Sequence, residues 1–122
     1  MDSKELEARR IGGQLIDCGT SVAMNYRAAR RARSRAEFIA KLGIVVEEAD
    51  ESSGWLELIA RLDLARGSEL IWLQGESYEL LAIFAKSQKT AKANRELSSS
   101  RSHSSIDRQS PHRRSSITEG SP

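Results

Sequence analysis

Apolar and small side chains recur at alternating spacings of three and four along three separate stretches of the chain. The first stretch carries Ile11, Leu15, Cys18, Val22, Asn25 and Ala29. The second carries Phe38, Leu42, Val45, Ala49, Ser52, Leu56 and Ile59, and the third carries Leu70, Leu73, Ser77, Leu80, Phe84 and Ser87. Each stretch keeps a heptad register for about three repeats, which is typical of helices packed along a shared seam. The pattern therefore predicts an all-α helical bundle.

Local signals set the bounds of the three predicted helices. The first is predicted over residues 3–31, although Gly12 and Gly13 weaken its first half by roughly 1 kcal/mol each relative to alanine. Ser34 and Glu37 have the spacing of a capping box, so the second helix begins after Ser34 and runs to about residue 62. The third begins at Ser68 and runs to about residue 93. The short connections make consecutive helices antiparallel, in up-down-up order.

The length and composition indicate one domain followed by a tail. Residues 1–97 contain 15 basic and 15 acidic side chains, so the net charge of +2 comes from residues 98–122. That segment also holds ten serines and both prolines, and it has too few apolar side chains to offset the entropy of ordering the chain. We predict a helical bundle domain over residues 1–97 and a disordered Ser/Arg-rich tail over residues 98–122.

The sequence lacks the residues that most catalytic and metal sites require. His103 and His112 both lie in the predicted tail, which leaves the bundle without an imidazole and excludes bundle ribonucleases that use an Arg-x(4–6)-His motif. Cys18 is the single cysteine and is interpreted as a buried, unreactive thiol. No Glu-x-x-His pair accompanies the acidic run at residues 47–51, so no di-iron site is expected. We predict a protein that is not an enzyme and holds no metal or cofactor.

Neither a membrane span nor a secretory signal is predicted. No run approaches the roughly 18 apolar residues that a spanning helix requires, and the first residues lack an apolar signal-peptide core. A single cysteine also excludes an intramolecular disulfide. A cytoplasmic location is therefore expected.

A dense basic cluster marks the turn between the first two helices. Five guanidinium groups fall within nine residues, namely Arg27, Arg30, Arg31, Arg33 and Arg35. They have three interpretations: contacts with nucleic-acid phosphates, pairing with an acidic face of another subunit such as that of Glu47, Glu48 and Asp50, or a solvated charged turn. Tyr26 is the single aromatic residue nearby, so any nucleic-acid binding is predicted to be directed to the backbone and sensitive to salt.

Asn25 is a polar residue on an otherwise apolar seam. Ser21 lies one turn before it and is its nearest candidate partner. A polar side chain at such a position costs stability unless it is hydrogen-bonded, and its best-attested use is to fix helix register or oligomeric state. We therefore interpret Ser21 and Asn25 as structural polar core residues.

Several segments together resemble a known family. They are Gln14-Leu15 and residues 18–28 (CGTSVAMNYRA), 34–42 (SRAEFIAKL), 47–58 (EEADESSGWLEL) and 76–87 (ESYELLAIFAKS). In order and spacing they are similar to the bacterial four-helix-bundle proteins related to those encoded by 23S ribosomal RNA intervening sequences. The Gln-Leu motif opens the second helix of that family, so the three helices predicted here correspond to its second, third and fourth, and the first is missing.

The resemblance implies a protein without enzymatic activity that forms a homo-oligomer, typically a pentameric ring, with a positive surface proposed for contact with RNA or DNA. A related accessory protein of diversity-generating retroelements works with a reverse transcriptase. A competing hypothesis is a protein-interaction module, in which a protein partner fills the apolar groove that the first helix would cover. A third is a truncated or mis-started copy without independent function.

Overall fold

The computed structural model contains three α-helices joined by two short turns. They are α1 (Ser3–Arg30), α2 (Arg35–Arg61) and α3 (Ser68–Gly120). The structure describes the backbone of residues 1–120 and the side chains of residues 1–100. No β-strand occurs in residues 1–120. The all-α prediction is confirmed, and so is the number of helices.

The first helix is continuous through its two glycines. Asp2 caps it, and the Asp2 carboxylate accepts a hydrogen bond of 2.7 Å from the backbone N–H of Glu5. A Cβ added at Gly12 or Gly13 would meet no atom within 4 Å, so neither glycine is needed for a close approach. Their low helix propensity does not break α1, because flanking residues on one face, such as Ile11 and Leu15, are partly buried.

The predicted capping box at the start of α2 is present in a shifted form. Ser34 has an extended backbone, and its hydroxyl accepts a hydrogen bond of 3.0 Å from the N–H of Glu37. The Glu37 carboxylate accepts in turn from the N–H of Arg33, at 3.3 Å, rather than from that of Ser34. The N–H of Glu37 is a donor that the first turn of a helix leaves unpaired, and the N–H of Arg33 lies just before the N-cap, so the two bonds together fix where α2 begins.

The turn between α2 and α3 closes the end of α2 with a left-handed residue. Asp63 has φ 57°, and the next N–H, that of Leu64, donates to the carbonyl of Ile59 at 3.0 Å. This is the backbone pattern that commonly ends a helix, with aspartate where glycine is usual. The Arg66 side chain binds the Asp63 carboxylate, with Nε and Oδ1 2.6 Å apart. The compact turn sends α3 back along α2.

Cross-helix contacts establish the directions of the helices. Ser53 of α2 meets Ser77 of α3, while Gly43 lies beside Gln88, so residue numbers fall along one helix as they rise along the other. This is the predicted antiparallel order. The two side chains with less than 2% exposure, Leu42 and Val45, both belong to α2, which is therefore the central helix of the core.

The buried face of α3 differs from the predicted seam. Leu73 and Leu80 were placed on that seam, yet they are 45% and 46% exposed. The more buried positions are Leu70, Gln74, Glu76, Ser77, Leu81, Phe84, Gln88 and Ala91. The predicted seam is therefore correct at Leu70, Ser77 and Phe84 and wrong at Leu73, Leu80 and Ser87. Apolar residues flank both sides of the buried line, as at Leu80 and Leu81, so the spacing in the sequence does not decide between them.

The predicted end of α3 near Ala93 is also wrong. The helix continues through residues 94–100, because residues 85–97 are rich in Ala, Lys, Gln and Glu and contain neither glycine nor proline. The helices pack within the compact unit Met1–Lys89, and a second unit begins at Thr90. The predicted disorder of residues 98–122 falls mainly on residues 101–122, whose side chains lie outside those described, and it stays a prediction.

Candidate functional site

The five arginines of the basic cluster lie at one end of the α1–α2 pair. Arg27 and Arg30 belong to the last turn of α1, Arg31 caps it, Arg33 lies in the connection and Arg35 opens α2. All five side chains are exposed. The negative end of the α1 dipole favours the positive charges of Arg27, Arg30 and Arg31, which therefore stabilise α1.

Two cavities adjoin at this cluster and share a wall. The Tyr26 cavity, of about 540 Å³, is lined by Ala23, Tyr26, Arg27, Arg30 and Arg31. The Arg33 cavity, of about 550 Å³, is lined by Met24, Arg27, Ala28, Arg31, Arg33, Glu37 and Lys41. Arg27 and Arg31, one helical turn apart, line both cavities. The structure therefore brings together four of the five predicted residues, while Arg35 lines neither cavity.

The clustered arginines have few nearby negative groups. None of the five guanidinium groups has a carboxylate oxygen of residues 1–100 within 4.0 Å, although the backbone N–H of Arg33 donates to Glu37. Two arginines outside the cluster are paired: Arg61 binds Glu57 at 2.7 Å, and Arg66 holds the pKa of the Asp63 carboxyl below its ordinary value by hydrogen bonding. The cluster is thus a concentrated positive surface whose guanidinium groups are available to an external anion.

Ser21 and Asn25 form a local polar pair within α1. The Asn25 amide donates to the Ser21 carbonyl at 2.9 Å and to the Ser21 hydroxyl at 3.1 Å, and both side chains are half-buried. These bonds satisfy the amide without involving another helix. Their interpretation as residues that fix register or oligomeric state stays a prediction. A polar contact that does join two helices is that of Ser53 with Ser77, 2.6 Å apart, of which only Ser77 lies on a predicted seam.

Cys18 is 5% exposed, as its place on the first seam predicts, but it has acidic neighbours that the sequence did not reveal. Its thiol donates to the Glu51 carboxylate, with Sγ and Oε2 3.3 Å apart, and the potential ligand atoms of Cys18, Glu48 and Glu51 lie within 4.8 Å of one another. Desolvation, followed by the Glu51 hydrogen bond and the negative charge of Glu48, raises the pKa of Cys18 to about 11. The thiol is therefore neutral and a poor nucleophile at physiological pH.

An apolar groove of about 270 Å³ runs between α1 and α3, with α2 as its floor. Its walls are lined by Gly19 and Val22 of α1 and by Leu73, Glu76, Leu80 and Phe84 of α3, and its floor includes Ala49, Ser52 and Leu56. The leucines that fall off the buried face of α3 are therefore in this groove. Gly19 contributes no side chain, and a Cβ there would meet no atom within 4 Å.

A search of the described residues finds no helix long and apolar enough to cross a membrane. The fold and these surfaces define an all-α protein of antiparallel helices with a basic end and an apolar groove. No model of a known protein family matches the chain, and no curated protein matches it.

A solved structure does match. It is a protein with unknown function from the S23 ribosomal protein family of Bacteroides thetaiotaomicron VPI-5482, with 34% sequence identity and a TM-score of 0.61, and the match covers 65% of this chain and 70% of that one. The present chain belongs to the S23 ribosomal protein family. The resemblance found in the sequence is thereby supported at the level of the family and of the fold.

Proposed function

We propose that this protein is a non-enzymatic helical-bundle protein that binds nucleic acid through its arginine cluster. The observation that carries the proposal is that Arg27 and Arg31 line both cavities, together with Arg30 in one and with Arg33 and Lys41 in the other. Guanidinium groups match the geometry of phosphate oxygens, and several in a row suit a chain of phosphates better than a single anion. The absence of carboxylate partners within residues 1–100 leaves these groups available for binding.

Ribosomal RNA is the nucleic acid to test first. The similar protein is described as a member of a ribosomal protein family, and the sequence resembles proteins encoded by 23S ribosomal RNA intervening sequences. The arginines lie at a helix end and in a short turn, so they form a compact patch rather than a long groove. Such a patch suits a few adjacent phosphates. Binding releases the counterions of those phosphates, and because this release is less favourable at higher salt, the affinity is expected to fall as salt is added.

The experiment is a filter-binding titration of a 23S ribosomal RNA fragment over about 50 to 300 mM salt. Wild type is compared with the double variant Arg27→Ala/Arg31→Ala and with a matched control, Arg61→Ala/Arg66→Ala, which removes the same charge from paired arginines outside the cluster. The cluster variant is expected to bind more weakly and to reduce the salt slope by about 2, whereas the control retains most of the slope. Absence of wild-type binding at the lowest salt would refute the proposal, as would equal losses in both variants.

A second candidate function, self-assembly, is favoured by the apolar groove. We propose that a second copy of this chain covers it, and the argument is charge complementarity. Along α3 the acidic residues Glu69, Glu76 and Glu79 precede the basic residues Lys86 and Lys89. Two copies placed antiparallel would set the acidic part of one α3 against the basic part of the other α3, which is a self-complementary arrangement beside the groove.

Light scattering after size-exclusion chromatography tests self-assembly. The variant Leu73→Asp/Leu80→Asp places charge in the groove, and Ile71→Asp is the control because Ile71 is 70% exposed on the same helix and does not line the groove. The groove variant is expected to be monomeric, while wild type and control assemble. The measured mass also separates a dimer from the pentamer that the resemblance implies. A monomeric wild type would refute self-assembly without affecting the RNA proposal.

A further inference from the structure

The Tyr26 cavity combines an aromatic ring with three guanidinium groups. Tyr26 is 41% exposed, and Arg27, Arg30 and Arg31 line the same space. The ring is supported from behind by Phe84 of α3, with ring centroids 5.4 Å apart and planes inclined at 45°. Tyr26 is therefore an aromatic surface held in place by an inter-helix contact, in a cavity with positive walls.

This combination differs from what phosphate binding alone requires. The neighbouring Arg33 cavity has Arg33 and Lys41 but no aromatic side chain, so it offers only charge and hydrogen bonds. The Tyr26 cavity adds an aromatic side chain to its lining, and its volume of about 540 Å³ exceeds that of a nucleobase. Arg27 and Arg31 separate the two cavities, which puts phosphate-binding groups directly beside a surface on which a base can stack.

We propose that the Tyr26 cavity binds an unpaired nucleobase by stacking while Arg27 and Arg31 bind the adjacent phosphates, so that the protein prefers single-stranded to double-stranded nucleic acid. The inference rests on the proposed nucleic-acid function and deepens it. In a duplex the bases are stacked on one another and cannot enter the cavity, whereas a single strand or loop can present a base at no pairing cost. Because every base has a π-face, the preference concerns strandedness rather than sequence.

Support by Phe84 makes a single aromatic residue sufficient. A flexible exposed tyrosine loses side-chain entropy when a base stacks on it, but contact with Phe84 has already restricted the Tyr26 ring. The ring is thus prepared for stacking before the ligand arrives. Base stacking at Tyr26 is an alternative to the backbone-directed binding that the sequence predicts.

Fluorescence anisotropy at low salt tests the inference with three labelled RNAs of about 12 nucleotides: a single strand, its duplex, and an abasic strand with the same backbone. Wild type is compared with Tyr26→Ala, with Tyr26→Phe, which keeps the ring, and with Tyr78→Ala, a matched control for the second tyrosine, which is 50% exposed and lines neither cavity. Tyr26→Ala is expected to weaken single-strand binding by roughly five- to thirtyfold, with duplex and abasic binding little changed. Tyr26→Phe and Tyr78→Ala are expected to retain wild-type affinity.

A measurement on wild type guards against a folding defect in Tyr26→Ala. A strand containing 2-aminopurine is expected to lose fluorescence when the wild-type protein stacks on the base. Equal wild-type affinity for all three RNAs, or no quenching, would overturn the inference but leave backbone binding intact. Failure of wild type to bind any of the three RNAs at low salt would instead remove the proposed function itself.

Discussion

The hydroxyl groups of Ser53 and Ser77 join α2 to α3, and their unequal burial leads to an unusual prediction. The two oxygens lie 2.6 Å apart, which is a good hydrogen-bond distance for hydroxyls. Ser53 is 6% exposed, whereas Ser77 is only half-buried. Replacing either serine with alanine breaks the same bond, but the partner left behind differs in its access to water.

The expected free-energy losses follow from that difference. Ser53→Ala removes the bond and leaves the Ser77 hydroxyl able to reach solvent, so it costs about 1 kcal/mol, the usual net value of a hydrogen bond. Ser77→Ala leaves the Ser53 hydroxyl without a partner in an enclosed site, so it costs about 2 kcal/mol. The double variant removes both polar groups and is expected to cost about 1 kcal/mol, less than Ser77→Ala alone.

Urea unfolding followed by circular dichroism measures these differences in a double-mutant cycle. The matched control is Ser52→Ala, whose hydroxyl donates only to the Glu48 carbonyl of its own helix at 2.9 Å and is expected to change stability by less than about 0.5 kcal/mol. Additive losses in the double variant, or a larger loss from Ser53→Ala than from Ser77→Ala, would show that the bond does not join the helices as described.

The remaining predictions concern the Cys18 thiol and two glycines. The folded state prefers the neutral Cys18 thiol, so at pH 9 roughly one thiol in a hundred is ionised in the folded protein, whereas about half are ionised in the unfolded chain. Alkylation by iodoacetamide is therefore expected to be far slower in native than in unfolded protein. The stability contributed by the neutral thiol is present below pH 9 and is lost as the pH rises through about 11. Equal alkylation rates in both states would contradict it. Gly13→Ala is expected to stabilise the protein by roughly 1 kcal/mol in thermal unfolding, because the added Cβ meets no atom within 4 Å and alanine has the higher helix propensity. Gly67→Ala is expected to destabilise it, because the backbone φ of +103° at that position is one that alanine rarely adopts. A loss of stability in Gly13→Ala would contradict the open space described there.

Features that depend on residues close together in the chain could be predicted from the sequence. The capping of α2 by Ser34 with Glu37 depends on residues three apart, and the heptad periods depend on residues three and four apart. The orientation of α3 could not be predicted in the same way. Leu80 and Leu81 are equally apolar, and the packing of the whole helix against α2, rather than any local preference, decides that Leu81 faces inward and Leu80 lies at the groove.

The same distinction between local and long-range features applies to the candidate site. The arginine cluster is contiguous in sequence and was found there, although its division into two cavities required the structure. Tyr26 with Phe84, and Cys18 with Glu51, join residues on different helices, so only the packed fold brings them together. The sequence shows only that a polar or aromatic residue lies on or beside a predicted seam, and this does not identify the residue that it contacts on another helix.

The concentration of the deepest burial in α2 separates stability from surface chemistry. Leu42 and Val45 are the two most enclosed side chains, and most of the other buried residues also belong to α2. Exposed residues of α1 and α3, such as Arg30 and Leu73, contribute little to that core, so changing them has little effect on the fold. A redesign of binding specificity should therefore vary these exposed positions and keep the buried residues of α2.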